Sequence, residues 1–140
     1  MSFTVVLDSD GLIKLAKAGI LGVVVKAWTC LIPQAVWAET VEGGREAAYP
    51  DALAIREALR PSMVQPPARH PRAARLLQQK RGLGRGEQDA LHLFFTARAD
   101  AIVSDDAAFL TVLGQAGLRY IPPALVLVQS RIRSRSSSVI

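Results

Sequence analysis

Short apolar runs alternate along this chain with longer segments in which apolar residues recur every three or four positions. The runs are rich in β-branched residues and suit strands that are buried on both faces. They cover residues 3–7, 29–32, 101–104 and 118–121. Strands that alternate with helices indicate right-handed crossovers and a parallel sheet. The pattern therefore predicts an α/β fold, a three-layer sandwich in which a parallel sheet of four to five strands is flanked by helices.

Prolines and glycines mark the ends of the intervening helices. Pro33 suits the first turn of a helix that Gly43-Gly44 ends, and Pro50 opens another that Pro61 stops. Further helices are predicted over residues 10–18, 71–80, 86–99, 107–117 and 122–130. Residues 20–28 are ambiguous between a helical turn and a strand, and residues 62–65 suit a short edge strand.

Length and composition indicate a single domain. The chain has 140 residues, of which 50% are hydrophobic and 21% charged, so it is long and apolar enough to bury a real core. We assign residues 1–130 to this domain. Residues 131–140 form a basic, Ser/Arg-rich tail, which we expect to be solvated and frayed.

No segment of the sequence has the pattern of a membrane span or a secretion signal. The longest apolar stretch, residues 19–28, is broken by Lys26 and is too short to cross a bilayer. The N-terminus lacks a basic region and reaches an acid at Asp8, unlike a signal peptide. Cys30 is the only cysteine, which fits a reducing compartment. These features favour a cytoplasmic protein.

Acidic residues are few, and most of them are clustered. The formal net charge is +5, with 12 acids in total. More than half of those acids fall in four clusters, most of them at transitions from a strand to a helix. The clusters are Asp8 with Asp10, Glu39 alone, Glu87 with Asp89, and Asp105 with Asp106.

These clusters are expected to meet in one crevice, because the carboxyl ends of parallel strands lie at the same edge of a sheet. Carboxylates that converge there repel one another unless they hold protons or a cation. Mg²⁺ and Mn²⁺ prefer such all-oxygen sites. The sequence predicts a divalent-metal site to which Asp8, Glu39, Asp89 or Glu87, and the pair Asp105-Asp106 contribute from different elements. Glu87 and Asp89 point to roughly opposite faces of one helix, and we favour Asp89 as the inward acid.

Each acid also has a purely structural interpretation. An aspartate at the end of a strand is often a helix N-cap, and an acid in the first turn of a helix is often a partner of the helix dipole. His92 follows Asp89 by three residues, a spacing known from carboxylate–histidine metal sites, but a packed or surface histidine is the better interpretation in an α/β chain. It is less plausible that all four acidic clusters are structural at once.

A run of basic residues lies beside the acidic residues of the second half of the chain. The run comprises Arg69, Arg72, Arg75, Lys80, Arg81 and Arg85. A run of this kind is either an ordinary charged face or a surface for a phosphate backbone. A basic protein with an acidic, metal-holding pocket suggests chemistry on a polyanion.

Four segments, taken in order, resemble the PIN-domain family of small α/β nucleases, many of which are toxins of VapBC-type toxin–antitoxin pairs. The segments are VVLDSDGLIKLAKAG, IPQAVWAET, LGRGEQDALHLF and AIVSDDAAFL. The resemblance spans roughly residues 3–128. Each segment is a weak signal alone, but four in the right order and spacing are moderately specific.

The resemblance implies a role for each acid. The four acids of the family fall on Asp8, Glu39, Asp89 and Asp106. Phe109 lies three residues after the fourth acid, and Ser104 occupies a slot where many members carry Thr or Ser. The family pattern leaves open whether Asp10 shares the first position, Glu87 the third or Asp105 the fourth.

The resemblance also implies an activity and partners. It implies Mg²⁺- or Mn²⁺-dependent hydrolysis of phosphodiester bonds in RNA, by an endoribonuclease that acts as the toxin of a toxin–antitoxin pair. A homodimer is the common arrangement in the family, and the apolar segment 12–28 fits one. A small acidic antitoxin is the second expected partner, because it complements the basic rim.

Two other interpretations remain open at this point. The segment LDSDGL is similar to the start of haloacid-dehalogenase-type phosphatases, with Asp8 as the nucleophile and Asp10 as the acid–base. Against this, Leu12 stands where Thr or Ser is usual, and Glu39 and Asp89 have no role. The other alternative is a PIN-like fold that serves only as a non-catalytic binding module.

Overall fold

The structure, a computed structural model, describes residues 3–42, 50–80 and 82–128. Its centre is a five-stranded sheet with the strand order β3-β2-β1-β4-β5, in which every neighbouring pair is parallel. The strands are β1 Thr4–Leu7, β2 Thr29–Pro33, β3 Val64–Gln65, β4 Ala101–Val103 and β5 Tyr120–Ile121. The predicted α/β sandwich with a parallel sheet of four to five strands is therefore confirmed.

Helices connect all of these strands. A π-helical turn, Ala38–Glu42, directly follows the helix Gln34–Trp37, and a 3₁₀ turn, Pro61–Met63, precedes β3. In chain order the helices are α1 Ser9–Lys17, α2 Leu21–Ala27, α3 Gln34–Trp37, α4 Pro50–Ala58, α5 Pro71–Gln79, α6 Arg85–Thr96, α7 Ala107–Gln115 and α8, residues 123–128.

Two hydrophobic layers cover the two faces of the sheet. Successive side chains of a strand point to opposite faces, so Val5 belongs to one layer and Val6 to the other. Both residues are fully buried. The first layer receives apolar side chains from α1, α2, α4 and α8, and the second from α5, α6 and α7. The helices are thus anchored rigidly around the central strand β1.

The ambiguous segment 20–28 forms a helix. Leu21 and Val24, three positions apart, are buried against the first layer, whereas Val23 is half exposed. Its β-branched residues resemble a strand locally, but the sheet beside it is already filled by β1 and β2. The predicted end of the third helix at Gly43-Gly44 and the tail of residues 131–140 lie outside the described residues.

The carboxyl ends of the central strands lead directly into helices. Asp8, the residue after β1, donates its backbone N–H to the carbonyl of Val103 in β4 at 3.3 Å. Gly11 packs against the same carbonyl, since a Cβ at Gly11 would lie only 2.4 Å from Val103 O. A side chain at this position would push α1 away from the end of β4. The first turn of α1 is therefore fixed above the edge of the sheet.

Within the described residues, no helix is both long and apolar enough to cross a membrane.

Candidate active site

Five carboxylates line one cavity of about 170 Å³ at the carboxyl ends of the central strands. They come from the end of β1, from the first turn of α1, from the π-helical turn, from α6 and from the start of α7. We call this cavity the acidic pocket. It is lined by Asp8, Asp10, Glu39, Glu87 and Asp106, together with Ser9, Gly84, Arg85 and Gly86.

Asp8 is the most buried of these acids, with 2% of its surface exposed. Its Oδ1 accepts a hydrogen bond from the backbone N–H of Gly11 at 2.7 Å and caps α1. Burial raises the pKa of Asp8 to about 6, although hydrogen bonds from Ser104 and Gly11 oppose that rise. The negative charges of Asp10 and Glu87 raise the pKa further. Ionised Asp8 is therefore poorly compensated by its protein neighbours.

Ser104, fully buried at the end of β4, connects two of the acids. Its hydroxyl is hydrogen-bonded to Asp8 and accepts the backbone N–H of Asp106 at 3.2 Å. Asp106 caps α7 by accepting the backbone N–H of Phe109 at 2.9 Å. Asp8 is thus a helix cap, as its structural interpretation predicted, and so is Asp106; both line the acidic pocket.

Glu39 lies in the π-helical turn and is held from two sides. Its Oε2 accepts a hydrogen bond from the hydroxyl of Ser9. A Cβ built on Gly86 would lie 3.2 Å from Val36 Cγ2 and 3.4 Å from both Glu39 Oε2 and Ser9 Oγ. Glycine at this position lets the first turn of α6 approach the glutamate closely. Neither Ser9 nor Gly86 carries a sequence signal beyond its position beside an acidic residue.

Glu87, rather than Asp89, is the acid that α6 contributes to the acidic pocket. Its Oε1 accepts the backbone N–H of Gly84 at 2.9 Å, which draws the side chain back over the helix N-terminus. Burial raises the pKa of Glu87, and the charges of Asp106 and Glu39 raise it further. Our preference for Asp89 as the inward acid therefore differs from the observed geometry. The cap to Gly84, which the apolar pattern of α6 does not reveal, sets the orientation of Glu87.

Asp89 lies on the other side of α6, with His92. Burial lowers the pKa of His92, Arg69 lowers it further, and Asp89 opposes this. His92 Nδ1 accepts the backbone N–H of His70 at 3.0 Å. His92 thus joins α6 to the start of α5 and does not line the acidic pocket, in line with its interpretation as a packed histidine.

Asp105 also points away from the acidic pocket. Its Oδ2 lies 2.6 Å from Lys14 Nζ, in an ion pair between α1 and the turn after β4. The same ammonium is 3.7 Å from Asp10 Oδ2. Sequence reasoning passed over Lys14, although its spacing of four residues from Asp10 is typical of an ion pair along a helix. Of the doubled aspartates, Asp106 is the one that lines the acidic pocket.

The donor set fits a hard divalent cation that keeps part of its water shell. In the part of the chain that the structure describes, Glu87 Oε2 is a buried carboxylate oxygen of the acidic pocket without a hydrogen-bond partner, and such an oxygen suits a cation. Asp10 Oδ2 also lacks a hydrogen bond, but it is ion-paired with Lys14. Within the described residues, however, no three His, Cys, Asp or Glu side chains are close enough to form a complete metal cage. Mg²⁺ characteristically binds through one or two carboxylates and retains several waters.

The described residues of the basic run do not line the acidic pocket, except for Arg85. Arg69, Arg72, Arg75 and Lys80 are exposed, and Arg81 lies outside the described residues. Arg85 is exposed and lines the acidic pocket. A positive side chain therefore stands at the rim of a negative cavity.

A comparison with protein-family models gives one result that bears on this geometry. A model described as "DUF3368: PIN domain" matches residues 4–137, nearly the whole chain. A comparison with curated proteins finds no match. PIN domains are generally nucleases that bind nucleic acid and use divalent metal ions.

Proposed function

The chain belongs to the PIN-domain family, and from that premise we propose that it is a metal-dependent endoribonuclease that hydrolyses phosphodiester bonds in RNA. The observation that carries the proposal is the convergence of five carboxylates in the acidic pocket of a chain with a net charge of +5. One buried carboxylate oxygen there, Glu87 Oε2, has no hydrogen-bond partner among the described residues. Capping alone explains Asp8, Asp106 and Glu87 singly, but it does not explain why Glu39 and Asp10 line the same cavity.

We infer that Asp8, Glu39, Glu87 and Asp106 hold Mg²⁺ or Mn²⁺, one or two of them directly and the others through bound water, with Asp10 beside them. In this set, Glu87 takes the position that the sequence assigns to Asp89, because Glu87 is the α6 acid that lines the cavity. A divalent ion bound there lowers the pKa of a water toward neutrality and offsets negative charge on the phosphate. Hydrolysis by in-line attack leaves a 5′-phosphate and a 3′-hydroxyl, without participation of the 2′-hydroxyl of RNA.

The residues of the chain orient these carboxylates before any substrate binds. Ser104 links Asp8 to the backbone of Asp106, and Ser9 holds Glu39. The backbone N–H of Gly84 holds Glu87 Oε1 and leaves Oε2 without a partner. Preorganised charge of this kind is the largest contribution in many hydrolytic sites. Arg85, at the rim, supplies positive charge to an approaching phosphate.

The biological setting follows from the family and from the surface. We propose a cytoplasmic toxin of a toxin–antitoxin pair, which forms a homodimer and is inhibited by a small acidic antitoxin. Support for the dimer comes from large apolar side chains left exposed on α2 and α4, Val23 at 50% and Leu53 at 59%. Light scattering at micromolar concentration tests the dimer, and a monomer there would refute it.

The activity is tested by cleavage of RNA with Mn²⁺, with EDTA, and with the Asp8→Asn variant in Mn²⁺. We expect cleavage in the first reaction alone, with 5′-phosphate ends on the products. Cleavage that survives both EDTA and the substitution would refute a metal-dependent site. Turnover of a phosphomonoester through a modified Asp8, without cleavage of RNA, would instead establish the phosphatase interpretation.

A further inference from the structure

The sequence between Glu57 and Glu87 has no acidic residue. Its charged residues are all basic: Arg60, Arg69, Arg72, Arg75, Lys80, Arg81 and Arg85. Most acids of the chain lie before this stretch or at its end, so the positive net charge is concentrated in α5 and its flanks. A concentration of one charge on a single helix attracts a polyanion far more than the same charge spread over the surface.

An open cavity of about 300 Å³ lies along this helix, and we call it the arginine groove. Arg72, Arg75 and Gln79 of α5 form one side of it, and Ala116 and Leu118, which follow α7, form the other. Phe95 of α6 also lines it. Because Ala73 is fully buried in the second hydrophobic layer, α5 is anchored with its basic side chains outward.

The arginines of this groove are not neutralised within the part of the chain that the structure describes. The ion pairs found there belong to Lys14 and Lys17 of α1. Arg72 is held instead by an aromatic ring, with its guanidinium carbon 4.6 Å from the centroid of Phe95. The ring of His70 stacks on the same Phe95 at 5.3 Å. Arg72 is thus oriented without losing its charge, a state suited to an external anion.

The groove and the acidic pocket lie towards opposite ends of α6, because Phe95 is in its last turn and Glu87 is in its first. Helix α5 ends at Gln79, and α6, which packs beside it, begins at Arg85. Lys80 and Arg85 are exposed, and Arg85 lines the acidic pocket. Lys80 and Arg85 therefore supply positive charge between the end of α5 and the rim of the site where we place hydrolysis.

We propose that the arginine groove binds single-stranded RNA and leads it, past Lys80 and Arg85, into the acidic pocket. This inference rests on the proposed nuclease function. A single strand fits because its phosphates follow a basic groove, while its unpaired bases stack on guanidinium planes such as that of Arg72. Double-stranded RNA is recognised across successive minor grooves, which requires a surface much longer than one nine-residue helix.

The test measures binding separately from cleavage. The affinity of a fluorescent single-stranded oligoribonucleotide is measured by anisotropy in EDTA, over a series of salt concentrations. The Arg72→Gln/Arg75→Gln variant is compared with Lys26→Gln/Arg56→Gln, which removes the same charge from α2 and α4 across the sheet. We expect the groove variant to bind on the order of tenfold more weakly at low salt, with a salt slope reduced by roughly one to two. The control variant should bind like the wild type.

A second variant separates charge from shape. Arg72→Lys/Arg75→Lys keeps the charge, so it should restore the salt slope but only part of the affinity, because lysine lacks the planar stacking surface. Melting temperatures of all variants establish that they are folded. Because binding is measured in EDTA, a protein that binds RNA in this groove but never cleaves it would refute the nuclease function alone.

Three results would overturn the groove proposal. One is equal weakening in the groove and control variants, which would indicate only non-specific attraction. Another is tighter binding of a duplex than of the single strand. The third is a groove variant that binds RNA like the wild type but loses binding of polyglutamate, which would make the groove a surface for an acidic protein.

Discussion

The acidic pocket and the arginine groove use charge in opposite ways. In the pocket, the carboxylates range from buried to exposed, and hydrogen bonds from Gly11, Ser9, Ser104 and Gly84 fix their positions. In the groove, arginines are exposed, and Arg72 is oriented only by a ring. Charge that is fixed by hydrogen bonds is suited to positioning a reaction, whereas charge on unpaired, exposed side chains is suited to sequence-independent attraction. The net charge of +5 conceals this division.

The difference predicts how each region responds to substitution. Loss of one carboxylate from the pocket should abolish or greatly slow cleavage, and it should stabilise the metal-free protein by removing repulsion. Loss of one arginine from the groove should weaken binding gradually and in a salt-dependent way. If loss of a carboxylate only weakened binding gradually, and loss of an arginine abolished cleavage, this distinction between the two regions would be wrong.

The largest effect is expected from a matched pair on α6. Glu87→Gln should slow RNA cleavage by roughly 10²–10³-fold, because it removes a carboxylate that we propose holds the divalent ion. Asp89→Asn makes the same kind of change two residues away, outside the acidic pocket, and should leave the rate within about threefold, since surface changes have small effects. Initial cleavage rates in Mn²⁺ measure both variants.

The opposite ranking is informative as well. If Asp89→Asn abolishes cleavage and Glu87→Gln does not, the third acid of the site is the one that the sequence pattern favours. The orientation of α6 described above would then be wrong for the active protein.

The next effect concerns stability and pH in the metal-free protein. The pKa of Asp8 is about 6 in the folded chain and 3.8 in the unfolded reference. The stabilisation from its bound proton is therefore complete below pH 3.8 and is lost as the pH rises through 6. Asp8→Asn should thus be more stable than the wild type by at most about 3 kcal/mol above pH 6, and this gain should disappear near pH 4.

Urea unfolding in EDTA at several pH values measures this difference. The wild type should lose stability between pH 4 and 6 relative to the variant. A variant that is less stable than the wild type at neutral pH would show that the hydrogen bonds of ionised Asp8 outweigh its burial.

A smaller effect tests the geometry of the pocket without changing its charge. Gly11→Ala places a Cβ 2.4 Å from Val103 O, a backbone atom that yields little. We expect destabilisation of about 1–3 kcal/mol, as in other overpacked sites, together with slower cleavage because Asp8 caps the same turn. Thermal unfolding and cleavage rates measure the two consequences.

Gly22→Ala is the control for this change. Gly22 lies in α2 with nothing near its missing Cβ, so alanine should stabilise the helix by roughly 0.5–1 kcal/mol and leave cleavage unchanged. If the two alanine variants behave alike, the close contact at Gly11 does not constrain the pocket.

Much of the fold could be predicted, because its signals are local. The buried runs around Val5, Ile32 and Ile102 contain few polar residues, and prolines or glycines mark most helix ends. Residues 20–28 could not be assigned, since their β-branched residues suit both structures and only packing against the first layer selects the helix. Tertiary contacts decide such segments.

The site was predictable to the level of the clusters, but not always to the residue. That Asp8, Glu39 and Asp106 lie close together follows from strand ends that meet at one edge of a sheet. The choice between Glu87 and Asp89 depends on a hydrogen bond to Gly84, and that between Asp105 and Asp106 on an ion pair with Lys14. Both depend on side-chain orientation, which sequence spacing does not determine.

Calorimetric titration of Mn²⁺ into the wild type, Asp8→Asn and Asp89→Asn tests the central claim, that the acidic pocket is a divalent-metal site, most directly. We predict that the wild type and Asp89→Asn bind Mn²⁺ with the same affinity and that Asp8→Asn binds it at least tenfold more weakly, a difference of about 1.4 kcal/mol or more. Failure of the wild type to bind Mn²⁺, or equal binding by all three proteins, would contradict the account.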